Sequence, residues 1–287
     1  MPYETRAYAK INLSLEVLGK RADGFHDLVS IMQTVSLCDF LTFAPAADIV
    51  FTCSQPELVG PSNLVVRAAN LLRHTYGVSD GCAIHLEKRI PHAAGLGGGS
   101  SDAAVTLRSL SRVWALPEPK DTIYGLAAEL GSDVPFFLHE GTALVEGRGE
   151  RVTPLREPPI CWYLLAKPPI QVPTAKIFAR LPRMAWSDGI ATYALASRVR
   201  QGGRVHFGPN SLQETLFSAY PLAQDCFERV AQMSEGRATV SGSGPTIVAS
   251  FSSEDEACRA AASLEDSRLA LFVVSSVAAH ERKEPCA

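Results

Sequence analysis

From Tyr8 to Leu18 the chain alternates: Ile11, Leu13, Leu15 and Val17 stand between Lys10, Asn12, Ser14 and Glu16. A period of two is the pattern of a half-buried strand, and it puts Lys10 and Asn12 on one face. Taken alone, that face reads as solvated. The period lengthens over residues 63–77, where Leu64, Ala68, Leu71 and Leu72 form a helical stripe. Asn63 suits the N-cap of that helix and Gly77 its C-terminal stop. Alternation returns over 82–88 as a second strand. A glycine-rich interruption follows, then a helix carrying Leu107, Leu110, Val113 and Trp114 at helical spacing. Another helix is predicted over 121–130, ending at Gly131.

Past residue 210 the order changes to a helix over 211–233, two strands flanking Ser241-Gly242-Ser243-Gly244, a helix over 254–265 and a strand over 269–278. Helix–strand–strand–helix–strand is most of a ferredoxin-like unit. The proline-rich stretch from Pro154 to Pro159 is a candidate domain boundary.

The interruption reads Pro91-His92-Ala93-Ala94-Gly95-Leu96-Gly97-Gly98-Gly99-Ser100-Ser101-Asp102-Ala103-Ala104. Glycine permits positive φ and lets a ligand approach the main chain. The loop opens onto a helix start, where unpaired N–H groups and the helix dipole favour an anion. Ser100 and Ser101 add hydroxyls for phosphate or a metal ion. Two familiar patterns fail. The Walker loop needs Lys followed by Ser or Thr after its last glycine, and the dinucleotide fingerprint needs a βαβ unit that this segment does not open. A flexible turn ahead of a helix is the plain alternative.

Composition narrows the setting. Of 287 residues, 46% are hydrophobic and 20% charged, as in ordinary globular proteins. A net charge of −3 gives no basic excess of the kind nucleic-acid binders carry. No apolar run is long enough to span a bilayer, and Met1 to Arg6 lacks a secretory signal's apolar core, so a cytoplasmic protein is expected. The seven cysteines (Cys38, Cys53, Cys82, Cys161, Cys226, Cys258 and Cys286) form no CxxC pair and are odd in number, which speaks against a disulfide framework or structural zinc.

Pro91 to Ala104 resembles the phosphate-binding motif of the GHMP small-molecule kinases. Ala9-Lys10-Ile11-Asn12-Leu13 and Val240-Ser241-Gly242-Ser243-Gly244-Pro245-Thr246 resemble that family's other motifs, in the same order. The resemblance implies an α+β, two-domain architecture, with an N-terminal domain of ribosomal-protein-S5-like fold (1–155) and a ferredoxin-like C-terminal domain (156–287). It also implies ATP as phosphoryl donor, with Mg²⁺. Two further segments, Gly19 to Leu28 and Gly131 to Phe137, are similar to the branch whose acceptor is a cytidine-diphosphate-linked methylerythritol.

Carried over position by position, the resemblance makes Lys10 and Asp133 the catalytic pair at the acceptor hydroxyl. Asp133 is the candidate base, with Lys10 its neighbouring cation. From the residues themselves, Asp133 follows a helix C-terminus, where a carboxylate is disfavoured, and Val134, Pro135, Phe136 and Phe137 suggest burial. A carboxylate capping nearby N–H groups is the alternative. ATP would lie on Pro91, Ala93, Ala94, Gly95, Leu96, Gly97, Gly98, Gly99, Ser100 and Ser101, with Asn63, Leu64 and Lys88 at the adenine end. Ser101 is the candidate contact to the metal. The acceptor would meet Asn12, Thr174, Gly242, Ser243 and Gly244. Phe25 and Phe178 would sandwich the cytosine and His26 would read its edge. By themselves Asn63, Leu64 and Lys88 read as an N-cap, a core leucine and a solvated lysine, Phe178 as a core aromatic and His26 as a turn histidine. Competing readings are another GHMP activity of homoserine or mevalonate type or the related diphosphate decarboxylase, a silent nucleotide- or sugar-binding relative, and an RNA-associated protein.

Overall fold

A computed structural model describes residues 2–117, 120–203, 206–264 and 268–279. The alternating N-terminal segment extends beyond its pattern into β1 (Tyr3–Lys20), which pairs antiparallel with β2 (His26–Ala46) along nearly its whole length. Next come β3 (Ile49–Cys53), β4 (Gly81–Glu87), β5 (Thr142–Gly147) and β6 (Arg151–Pro154), completing one sheet of order β3-β4-β2-β5-β6 with β1 on β2. Four helices accompany it: α1 (Leu64–Tyr76), α2 (Gly98–Val113), α3 (Lys120–Leu130) and α4 (Val134–His139). Their apolar stripes, including Ala68, Leu72, Leu107, Leu110 and Phe136, pack with Leu41, Phe43 and Ile84 of the strands in one core.

The expected caps of α1 are present. Asn63 Oδ1 accepts from Val65 N at 2.9 Å, and Gly77 takes the left-handed conformation that closes the helix. Two details differ. Val113 is exposed, because the buried stripe of α2 runs through Ala103, Ala104, Leu107 and Leu110 and has rotated away one turn later. The polar side of β1 is not solvated either. Lys10, Asn12, Ser14 and Glu16 are all buried, since both sides of the strand are covered by the rest of the chain.

A second sheet follows after Pro154. Its strands are β7 (Trp162–Lys167), β8 (Ala238–Val240), β9 (Ile247–Phe251) and β10 (Ala270–Ser275), all antiparallel in the order β10-β7-β9-β8. Between β7 and β8 lie α5 (Thr174–Arg180), α6 (Ile190–Arg200), α7 (Gln213–Ala219) and α8 (Pro221–Met233), and α9 (Glu254–Ser263) precedes β10. With α8 and α9 as its two helices, the order is that of a ferredoxin-like unit. The architecture is therefore α+β, built on two sheets. The helix expected over 211–233 is split, because Pro221 donates no N–H and keeps Tyr220 out of the helical region (φ −139°, ψ 83°).

The halves share a core. Ile11 and Leu13 of β1 and Val29 and Ile31 of β2 pack with Tyr163 and Leu165 of β7 and Val248 of β9. Tyr163 Oη donates to Gln33 Oε1 at 2.5 Å within that buried contact. Six cysteines are free thiols, and Cys286 lies outside the described residues. No helix among the described residues is long and apolar enough to cross a membrane.

Candidate active site

The glycine loop is suspended between the two halves. Lys10 N of β1 donates to Leu96 O at 3.0 Å, and Ser241 Oγ, in the β8–β9 turn, donates to Gly95 O at 2.9 Å. Gly95 (φ 77°) and Gly97 (φ 69°) both occupy the left-handed region. A Cβ on Gly95 would stand 2.3 Å from Ser241 O, and one on Gly97 would meet the Phe137 ring and Lys10 Cγ at 2.7 and 3.0 Å. No larger residue fits between loop, turn and lysine. Helix α2 begins within the glycine run, with Gly97 at its N-cap, so Gly98, Gly99, Ser100 and Ser101 are its first turn. No side chain caps it. That leaves the helix N-terminus turned to the cleft, the arrangement that receives an anion.

Lys10 and Asp133 meet at the mouth of this loop. Lys10 Nζ donates to Asn12 Oδ1 at 2.7 Å and lies 3.5 Å from Asp133 Oδ2. Asn12 is itself held, since its Nδ2 donates to Ser30 Oγ at 2.8 Å and Ser30 Oγ donates to Ser14 O at 2.6 Å. The lysine side chain is 4% exposed and the aspartate 32%. The surroundings of Asp133 depart from both expectations. Pro135 starts a new helix at once, so Asp133 stands at the N-terminal end of α4 rather than trailing α3. Its apolar neighbours Val134 to Phe137 go into the core, while its own carboxylate stays at the cavity surface and caps no N–H.

A cavity of about 1,420 Å³ runs through this point, beyond the roughly 300–1,000 Å³ usual for one small ligand. One end is lined by Leu58, Asn63, Leu64 and the glycine loop, and the other by Phe25, His26, Thr174 and Phe178. Lys10, Asn12, Asp133, Gly242 and Ser243 line it between them. Thr174 Oγ1 and Ser243 Oγ are hydrogen-bonded at 2.9 Å. Leu96, Ser101 and Gly244 do not line it. Leu96 is a core side chain, Gly244 backs onto Leu216 and Val240, and Ser101 Oγ is buried without a partner. Among the described residues no trio of His, Cys, Asp and Glu is placed to hold a metal.

Lys88 is not solvated. Its ammonium is buried between Asp39 and Asp102, donating to Asp39 Oδ2 and, at 2.9 Å, to Asp102 Oδ2. Asp39 Oδ1 also accepts from Arg89 N at 2.5 Å and Ile90 N at 2.8 Å. Lys88 Nζ would stand 2.8 Å from a Cβ on Gly98, so the cluster lies directly under the first turn of α2. Burial pushes the Asp102 carboxyl up to about 8 against the pull of Lys88, and its Oδ1 has no partner. Burial works to lower the Lys88 ammonium, but the two carboxylates outweigh it and the net shift is upward.

At the aromatic end, the turn from Arg21 to His26 is tied by Arg21 N to Phe25 O (2.8 Å), Phe25 N to Asp23 Oδ1 (3.1 Å) and Arg21 Nη1 to Asp27 Oδ1 (2.8 Å). The rings of His26 and Phe178 lie 5.2 Å apart, tilted by 33°. Phe178 rests on the second core with its cavity side open, so it is only partly a core aromatic. Burial, then the charge of Lys20, lowers the His26 pKa and favours a neutral ring that can both donate and accept. Phe25 is exposed, with the Arg148 guanidinium 4.9 Å from its centroid.

Sequence reasoning did not single out Asp39, Asp102 or Arg148. The signal for Asp39 was a lone carboxylate amid the apolar residues of 35–43, and for Asp102 a charge set among small residues at a helix start.

Residues 63–141 match the family model for the GHMP kinases N terminal domain. The chain is similar to 4-diphosphocytidyl-2-C-methyl-D-erythritol kinase of Geobacillus kaustophilus, at 40% identity over 86% of this chain and 87% of the relative. It is also similar to the enzyme of that name from Caldanaerobacter subterraneus, at 34% identity over 91% and 92%. A crystal structure of 4-(cytidine 5'-diphospho)-2C-methyl-D-erythritol kinase superposes with a TM-score of 0.82 at 32% identity, covering 96% of this chain and 99% of the other. A homoserine kinase from Cytophaga hutchinsonii shares the fold at 17% identity and a TM-score of 0.68.

Proposed function

Because the chain belongs to the 4-diphosphocytidyl-2-C-methyl-D-erythritol kinase family of the GHMP kinases, we propose that its cleft moves the γ-phosphoryl of ATP onto the 2-hydroxyl of that cytidine-diphosphate-linked methylerythritol, a step of the non-mevalonate route to isoprenoid precursors. The single observation that carries the site assignment is the meeting of Lys10 and Asp133 at the mouth of the glycine loop, inside a cavity with room for two ligands.

Phosphoryl transfer asks the protein for alignment and charge neutralisation more than for covalent chemistry. The triphosphate lies along the first turn of α2, where main-chain N–H groups point into the cleft. Asn63 and Leu64 flank the adenine end. Lys88 acts from beneath this turn, because its ammonium is already taken by Asp39 and Asp102. The acceptor hydroxyl sits between Asp133 and Lys10. Asp133 accepts its proton, and Lys10, steadied by Asn12, lies against the charge that develops on the transferring group. Thr174, Ser243 and the open face at Gly242 border the erythritol, and Phe25, His26 and Phe178 receive the cytosine.

Mg²⁺ taken up with ATP would supply charge neutralisation at the phosphates. The candidate contact Ser101 has an unpartnered hydroxyl, but it is buried behind the cavity wall and does not fit as a ligand in this arrangement. The two-domain division at residues 155 and 156 is supported by the first sheet ending at Pro154 and the second beginning at Trp162. A cytoplasmic setting agrees with the free thiols.

The test is transfer of labelled phosphate from ATP to the cytidine-diphosphate methylerythritol, homoserine and mevalonate, with the product's phosphorylated carbon read by NMR. Label at the 2-position of the first acceptor alone is expected. Preferred turnover of homoserine or mevalonate overturns the assignment.

A further inference from the structure

The acceptor just proposed is anchored at two points, its base at the aromatic end and its hydroxyl at Lys10 and Asp133, so its diphosphate has to cross the stretch between. Six basic side chains line the cavity: Lys10, Lys20, Arg21, Lys88, Arg148 and Arg183. Lys10, Arg21 and Lys88 are each held by carboxylates. Arg183 lies over the Trp186 ring, 5.7 Å from its centroid.

Lys20 and Arg183, like Arg148, form no ion pair with a carboxylate among the described residues, and Arg148 differs from them in placement. It occupies the tip of the β5–β6 hairpin between two positive-φ glycines, Gly147 (71°) and Gly149 (122°). Gly149 packs so closely on the turn bearing the candidate base that a Cβ there would stand 3.1 Å from Ser132 Cβ. One side of the guanidinium rests on the Phe25 ring, and its Nη2 donates to Ala128 O at 2.7 Å. No carboxylate among the described residues forms an ion pair with it. A guanidinium is a planar fork of five donors matched to phosphate, and here the carbonyl and the ring fix its plane while only the longer-range charge of Asp23, with no ion pair, answers it.

We propose that Arg148 is a specificity residue that reads the diphosphate of the acceptor, spanning the gap between the aromatic turn and the Ser132–Asp133 turn. The assignment rests on the cytidine-diphosphate reading above and deepens it. It also gives Phe25 a second role, as the platform that holds the guanidinium in place. Arg148 thereby discriminates between a nucleoside and its diphosphate.

Competitive binding of cytidine and of cytidine 5'-diphosphate to the full-length protein tests this directly, with ATP affinity and melting temperature as controls on folding. The wild-type chain is expected to favour the diphosphate by roughly ten- to a hundredfold, the range of one or two charge-assisted hydrogen bonds. Arg148→Met should bring that ratio close to one, with cytidine affinity changed by no more than about threefold. Arg148→Lys, which keeps the charge and loses the fork, should recover part of the preference and restore its salt dependence. Equal losses for both ligands in Arg148→Met would make Arg148 a mere support for Phe25 and overturn the proposal, as would an unchanged ratio. A wild-type chain that binds neither ligand would fail earlier, at the cytidine reading itself.

Discussion

Two buried lysines border the same cleft and serve opposite ends. Lys10 is paired with one neutral amide and one carboxylate that is a third exposed, so its ammonium faces a partner still open to a ligand. Lys88 is paired with two acidic side chains that are themselves buried, and those ties connect the interior of β2, the residues just after β4 and the N-terminal part of α2. Burial makes either ammonium expensive to leave alone. What separates them is the company each keeps: a partner at the cavity wall leaves chemistry to be done, whereas partners sealed inside commit the charge to holding the loop in shape.

That contrast can be broken most sharply at the open pair. Asp133→Asn should lower turnover at saturating substrate by about 10²–10⁴-fold, with little change in melting temperature. Near-normal turnover would remove Asp133 as the base. At the sealed cluster the effect should move from rate to stability. Lys88→Met leaves Asp39 and Asp102 in the interior without their cation and should destabilise the protein by about 3–5 kcal/mol in a denaturant titration, whereas Lys10→Met should shift the midpoint far less. Equal shifts for the two variants would erase the distinction.

The last effect is a slope. The Asp102 carboxyl is raised to about 8 in the folded protein, from about 4 when unfolded. The folded state therefore retains a proton that the unfolded chain has released. The stability this group contributes is fully present below about pH 4 and is lost as pH rises toward 8. Melting temperatures for the wild type and Asp102→Asn, measured between pH 4 and pH 8, should differ in slope, with the wild type falling more steeply. Parallel curves would mean that Asp102 is ionised throughout.

Much of this was legible in the chain because it depends on near neighbours. Asn63 and Gly77 delimit α1 by their own capping chemistry, and the glycine run announces a helix start that no side chain can crowd. The loop's contacts with Lys10 and Ser241 were legible only as shared motifs, since nothing local says that residues about 85 and 146 positions away along the chain will meet there. Lys88 was misread because its two partners lie 49 positions before it and 14 after it, and pairing at that distance leaves no periodic trace. The surroundings of Asp133 differ from the expectation because Gly131 signals the stop of α3, while the immediate restart at Pro135 carries no periodic signal of its own. The expected helix over 211–233 is two helices for the same kind of reason, since Pro221 offers a break while the apolar pattern runs through it.

Strand β1 contributes both its sides to the protein, with Ile11 and Leu13 in the core shared by the two sheets and Lys10 and Asn12 at the cleft. Its pairing with β2 shifts register between Tyr8 and Ala9 and again between Asn12 and Ser14, and the two rows keep their sides in the stretch between. Adding or deleting a single residue between Ala9 and Leu13 would exchange the two rows, driving an ammonium into oil and bringing a leucine up to the phosphate. A change of length is therefore absorbed more easily at those register shifts, or in the helices between β7 and β8, than between them.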